Sequence, residues 1–174
     1  MESFQHKNAS FWRRWLTRWL ISHLETGSVD IRTYILQILG KIGDETAFPV
    51  IVEATKDGND SIRRFAVSAL ADTEDKKAID VLVGSMDDKE VDIQAAAAAA
   101  LGRFKGEKVE NALIKKLMNN TEDSVKSQVI ISLGNLGSKK ALPMLNKMMK
   151  TESNEWIRRY ISQAIKEIEG GLKS

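Results

Sequence analysis

The 174-residue sequence has no cysteine, only two prolines and two histidines, and 6% aromatic residues. Without cysteine there is no disulfide framework, no thiolate nucleophile and no cysteine-ligated zinc or iron–sulfur centre. His6 and His23 cannot by themselves furnish a histidine-rich metal site. No run reaches the ~18–20 consecutive apolar residues that span a bilayer, since Arg13, Arg14 and Arg18 interrupt the apolar N-terminal stretch. Nor does an uninterrupted apolar segment with a small-residue cleavage site precede Thr26-Gly27, so the sequence predicts no secretory leader and a cytoplasmic location. An excess of one charge is also missing. The 26 Lys and Arg against 24 Asp and Glu leave +2, which argues against a dedicated nucleic-acid binder or a polybasic membrane module.

What is present is 43% hydrophobic and 29% charged, enough to bury a real core. Abundant Ala, Leu, Ile and Lys with so little proline point to an all-helical chain. An internal repeat organises it. Ile31-Arg32, Ile62-Arg63, Ile93-Gln94, Val125-Lys126 and Ile157-Arg158 recur every 31 or 32 positions. Eight positions after each marker stands Leu39, Leu70, Leu101, Leu133 or Ile165, followed by Gly40, Ala71, Gly102 and Gly134, a column that Lys166 breaks. Apolar residues at offsets 0, 4, 5, 7 and 8, as in Ile62, Ala66, Val67, Ala69 and Leu70, form one stripe of an α-helix. Further helical patterns at 45–56, 75–86, 107–119 and 138–150 make each unit a helical hairpin. Pro49 and Pro143 fall near helix starts, where a missing N–H costs least. Asp57-Gly58-Asn59-Asp60 supplies turn and N-cap chemistry, and Gly40, Gly43, Gly134 and Gly137 are candidates for left-handed helix ends. Hairpins this short cannot bury their apolar faces alone, so they must stack.

The phrase from Val29-Asp30-Ile31-Arg32 through Leu39-Gly40-Lys41-Ile42-Gly43-Asp44, with its copy from Asp123 to Gly137, resembles the second helix of HEAT repeats. Its short period is most similar to the HEAT-like repeats of phycobilin lyases. The resemblance implies an all-α, right-handed α-solenoid of five HEAT-like helical hairpins over 11–170, with a flexible N-terminal tail at 1–10 and a C-terminal tail at 171–174. HEAT-like units serve scaffolds, chromophore lyases, DNA glycosylases and an iron-dependent hydroxylase, so the fold leaves the function open.

In such a solenoid the second helices line the concave face. Offset 3 then reads Tyr34, Phe65, Ala96, Gln128 and Tyr160, and offset 2 reads Thr33, Arg64, Ala95, Ser127 and Arg159. Aromatic and arginine side chains dominate binding energy at protein interfaces. Tyr34, Phe65, Tyr160, Arg64, Arg159 and Gln128 are therefore the expected partner-binding face. The basic offset-1 column, Arg32, Arg63, Lys126 and Arg158, is expected to be a structural ladder paired with Asp30, Asp60, Asp123 and Glu155. Ala95 to Ala100 read as a closely packed helix.

Three tryptophans, Trp12, Trp15 and Trp19, lie in the first helical segment. Trp12, Leu16, Trp19, Leu20 and His23 share one face, largely opposite Arg13, Arg14, Thr17 and Arg18. The leading expectation is a terminal cap that buries this face on the first unit. A helix lying on an anionic membrane surface stays open, as does a docking edge, since Trp15 falls off the main stripe. Trp156 at the other end, beside a last helix carrying Lys166, Glu167 and Glu169, marks a terminal unit or an end that forms a homodimer.

The His-Glu pairs of HEAT-like metal hydroxylases do not occur at His6-Lys7 or His23-Leu24. There is no phosphate-binding glycine loop and no Ser-His-Asp set. The sequence thus predicts a non-enzymatic protein–protein interaction scaffold or assembly adaptor, with no metal and no cofactor. A phycobilin lyase-like or chromophore-handling protein is the alternative, followed by a membrane-surface or nucleic-acid adaptor.

Overall fold

The computed structural model describes residues 2–119 and 122–170, with side chains from residue 11 onward; the expected tail at 171–174 and the His6 side chain lie outside the described residues. Every element in this range is helical. Contacts group the chain into two compact units, Met1–Ala78 and Ile79–Ser174, across the range 11–170 expected to form one repeat domain.

The first unit holds α1 (Glu2–Leu24), α2 (Val29–Ile42), α3 (Phe48–Ala54) and α4 (Asp60–Asp72). The backbone of α1 takes in residues 2–10, set apart above as a tail. Ser28 caps α2 by accepting the Ile31 N–H, and Gly43 ends it at φ 61°, its N–H donating to Leu39 O. That left-handed turn suits glycine because it has no Cβ to clash. Asn59 caps α4 through the Ile62 N–H. The helix predicted at 45–56 starts late, because Asp44 Oδ1 accepts both the Thr46 N–H at 3.0 Å and the Thr46 hydroxyl at 2.6 Å and holds a turn there. Asp75 does the same with the Lys77 N–H, so the helix predicted at 75–86 starts at Ala78.

The second unit holds α5 (Ala78–Ser85, starting at the boundary), α6 (Val91–Leu101), α7 (Glu107–Met118), α8 (Asp123–Asn135), α9 (Leu142–Thr151) and α10 (Glu155–Gly170). A single 3-10 turn, Lys139–Ala141, precedes α9. Gly137, at φ 65°, ends α8, and the Ser138 N–H returns to Leu133 O.

Glycine and small residues set how closely the second helices approach. A Cβ on Gly40 would stand 2.7 Å from Ala69 O and 2.8 Å from Ala69 Cα, so α2 and α4 touch backbone to backbone. Gly102 sits against Ser132, whose hydroxyl donates to Ala98 O at 2.8 Å, and Gly134 sits against Ala164. Gly40 and Gly134 are therefore interior contact points, not the left-handed ends expected of them. The apolar stripe is buried as predicted in α4, α6 and α8. It is incomplete in α2, where Ile35, Leu36 and Leu39 are buried while Ile31 and Ile38 are exposed.

Candidate functional site

The offset-1 column anchors the loops in front of the second helices. Arg32 Nη2 lies 2.6 Å from Asp57 Oδ2, and Arg63 donates to the carbonyls of Asp57 and Gly58. Gln94 donates to Asp88 O, again six residues earlier. Lys126 pairs with Asp123 at 3.0 Å and Glu152 at 3.6 Å. This column builds a structural ladder in which Lys126 keeps the expected Asp123 while Arg32 takes Asp57 in place of Asp30. Arg32 and Lys126 reach acids in the following loop, Asp57 and Glu152, because a side chain at a helix start points toward the neighbouring hairpin's turn. Asp30 is not the acid of Arg32, and Arg158 is exposed. Burial pushes the Asp57 carboxyl up, but the Asn59 N–H and Arg32 outweigh it and leave its pKa below the usual value. A recess of about 440 Å³ beside this pair is lined by Leu24, Arg32, Pro49, Glu53 and Ala54, and the Arg32 Nε is buried without a hydrogen-bond partner.

The expected partner-facing side chains fall in both units. In the first, Tyr34 on α2 is 67% exposed. On α4 the Arg64 guanidinium stands 4.8 Å over the Phe65 ring, which is half-buried rather than a free anchor. Thr33, in the neighbouring column, is buried with its hydroxyl on Asp30 O. In the second unit Gln128 on α8 is half-buried. On α10 the Arg159 guanidinium stands 4.8 Å over Trp156, with Tyr160 exposed next to it. Trp156 therefore supports Arg159, a role the sequence reading missed, although an i, i+3 pair shares one helix face. The recess at Arg159, about 350 Å³, is lined by Met149, Glu155, Arg158 and Ser162.

Each unit thus offers an arginine whose guanidinium stands over an aromatic ring. The ring holds the guanidinium by cation–π attraction and leaves its N–H edge to donate, in a fork that matches a carboxylate. Neither Arg64 nor Arg159 forms an ion pair among the described residues. In the alanine run, Ala97, Ala98 and Ala100 are buried.

The first helix departs from expectation. Its packed stripe is Thr17, Leu20 and Leu24, whereas Phe11, Trp12, Trp15, Leu16 and Trp19 are exposed. The cap reading, which buried Trp12, Leu16, Trp19 and His23, is corrected accordingly. Arg13 lies 3.7 Å from Asp44, and the Thr17 hydroxyl donates to Arg13 O. The hydroxyl's own bond lets the polar Thr17 occupy the packed side, and the tryptophans face outward. Trp12 meets Trp15 edge-on at 6.0 Å, and the exposed His23 ring lies 4.4 Å from Trp19.

Among the described residues, no group of three His, Asp or Glu side chains is placed to hold a metal, and no helix is long and apolar enough to cross a membrane. The model for HEAT repeats matches residues 17–100 and 85–166. The chain belongs to the HEAT-repeat family. No curated protein matches it. Among solved structures, this HEAT-repeat chain is similar to the complex of CpcE and CpcF of phycocyanin lyase from Nostoc sp. PCC7120, with a TM-score of 0.73 and 20% identity; the likeness covers 87% of this chain and spans 64% of that one. It is also similar to a designed armadillo repeat protein in complex with the peptide (KR)4, with a TM-score of 0.63 and 16% identity over 86% of this chain and 80% of that one. An engineered protein matches with a TM-score of 0.61 and 18% identity over 87% of this chain and 78% of that one. At these identities the likenesses give the α-solenoid fold class alone.

Proposed function

We propose that the chain is a non-enzymatic protein-binding scaffold whose second helices recognise acidic segments of a partner. The observation that carries this reading is the guanidinium that stands over a ring in each unit, Arg64 over Phe65 and Arg159 over Trp156. Tyr34 on α2 and Tyr160 next to Arg159 supply exposed aromatic area, and Gln128 a further polar group. Preformed side chains keep the ordering cost of binding low. The designed armadillo relative, described in complex with the basic peptide (KR)4, supports peptide binding by a repeat surface, while the preference for acidic segments rests on Arg64 and Arg159. Peptides selected from a random library on the wild-type chain should be rich in Asp and Glu. Arg64→Ala/Arg159→Ala should weaken them on the order of tenfold or more while leaving helicity unchanged. Selection of neutral peptides that bind the variant equally well would sink the reading.

A second reading, a chromophore-handling protein, rests on the likeness to the phycocyanin lyase complex. Visible absorbance gained on mixing the purified chain with a bilin would favour it, and an unchanged bilin spectrum would dismiss it.

A further inference from the structure

The first two helices leave bare a surface that every later unit covers. Ile31 is 51% exposed, while its counterparts Ile62, Ile93, Val125 and Ile157 are at most 2% exposed. Ile38 is 43% exposed against at most 4% for Ala69, Ala100, Ser132 and Ala164. Both lie on the side of α2 opposite Gly40, the residue that meets α4, since they stand about half a turn away on the helix. On α1, Trp12, Leu16 and Trp19 form a stripe at i, i+4 and i+7. Arg13 and Arg14 of that helix line a recess with Asp44, Glu45 and Thr46, just before α3, so the tryptophan stripe lies on the flank away from α3. Both exposed stripes thus face away from the second hairpin, α3 and α4.

We infer that this end is a self-association surface, on which a second copy of the chain docks head to head about a two-fold axis. Three observations choose this occupant. The first is area. With Phe11, Trp15 and Tyr34 added, the exposed part of these side chains comes to roughly 800 Å², which is one partner's share of a standard interface and more than the largest apolar patch usual on a monomer. The second is charge. Asp30 and Lys41 lie near opposite ends of α2 on the exposed side. Laid antiparallel on its copy with Tyr34 near the axis, α2 sets Ile31 against the copy's Ile38 and Asp30 close to the copy's Lys41, so the patch is complementary to itself. The third is what the alternatives lack. Head-to-tail stacking would need a small residue at the crossing, as at Gly40, Gly102 and Gly134, but α10 presents Lys166 in that column, with Ser162 where Leu36, Val67, Ala98 and Ile130 stand. Ile38 is also larger than the Ala or Ser that the tight internal crossings use.

This goes beyond the partner-binding reading, with which it shares Tyr34 but none of the arginines. Sedimentation equilibrium of the full chain from about 1 to 100 μM should show the mass rising from 19.5 kDa to twice that value. Tryptophan emission should shift to the blue over the same range, since Trp12, Trp15 and Trp19 lose water on pairing. Ile38→Asp and Trp12→Glu, both at exposed positions and checked for unchanged helicity, should each weaken the dimer about 30-fold or more. Asp30→Lys should weaken it by about fivefold, and Asp30→Lys/Lys41→Asp should restore it. A wild-type chain that remains at 19.5 kDa throughout overturns the inference, whether or not it floats with phosphatidylserine vesicles. So does a dimer that Ile38→Asp and Trp12→Glu leave intact, and a double exchange that fails to restore pairing overturns the antiparallel arrangement.

Discussion

The first and last second-helices, α2 and α10, descend from one repeat pattern and finish it in opposite ways. On α10 the positions that a following hairpin would cover have become Ser162 and Lys166, so the helix meets water with polar groups while burying Ile157, Ile161 and Ala164 on its other side. On α2 the positions that a preceding hairpin would cover remain Ile31 and Ile38, and α1 adds an exposed row of tryptophans beside them. A repeat array is soluble as a monomer when its ends are polar. The exposed face of α10 meets water with polar groups, whereas that of α2 still has apolar area to bury.

The strongest way to break the comparison is to exchange the crossing residues. Gly40→Val places its branched side chain against the Ala69 backbone, which cannot rotate away, and should cost about 3 kcal/mol or more in urea denaturation. Lys166→Val, in the same column of α10, meets only solvent and should stay within about 0.5 kcal/mol. Equal costs would mean that the two ends are packed alike. Next comes the marker column. Ile62→Ala empties a fully buried site and should lower stability by about 2–4 kcal/mol, whereas Ile31→Ala at a concentration too low for pairing should cost less than about 1 kcal/mol. Should Ile31→Ala cost as much as Ile62→Ala, the bare end would be covered within the monomer. Smaller still is Ser132→Ala, which removes the hydroxyl bond to Ala98 O and should cost about 1 kcal/mol. α2 has no such bond, because the residue in that column is Ile38.

The smallest effect is in pH dependence. The native Asp57 carboxyl titrates below its ordinary value of 3.8, so the unfolded chain takes up the proton first. Its contribution is fully present above pH 3.8 and is lost as the pH falls through the lower native value. Replacing Arg32 with methionine should shrink the part of the acid-induced stability loss that lies in this range, read as a flatter melting temperature between neutral and acid pH. A melting curve for Arg32→Met that falls as steeply as wild type would remove the Arg32–Asp57 pair from the account.

Much of the fold could be read from residue columns. A period of 31 or 32 and an apolar stripe at offsets 0, 4, 5, 7 and 8 already demand stacked hairpins, because helix periodicity fixes which residues share a face whatever the neighbours are. Two features escaped for different reasons. The late starts of α3 and α5 come from Asp44 and Asp75 accepting nearby N–H groups, local bonds that compete with the helix and leave no mark on hydrophobic periodicity. The arginine–ring pairs were legible only in part. In the sequence Arg64 and Phe65 read as separate anchors, and Trp156 and Arg159 as parts of different surfaces although three residues apart, since a sequence lists side chains and not the rotamers that bring them together.

Hairpin number, core columns and polar closure of the last helix follow from the sequence, because each depends on the chain's own helical period and on which side chains tolerate water. The orientation of α1 does not. Two faces of that helix could have packed, one rich in tryptophan and one bearing Thr17, Leu20 and Leu24, and hydrophobicity alone favours the first. The tertiary structure chose the second, where Arg13 reaches Asp44 and Thr17 satisfies its hydroxyl on the helix's own backbone. Burial energy is indifferent to which partner supplies the contact, so only the assembled neighbours decide which apolar face a terminal helix keeps and which it leaves exposed.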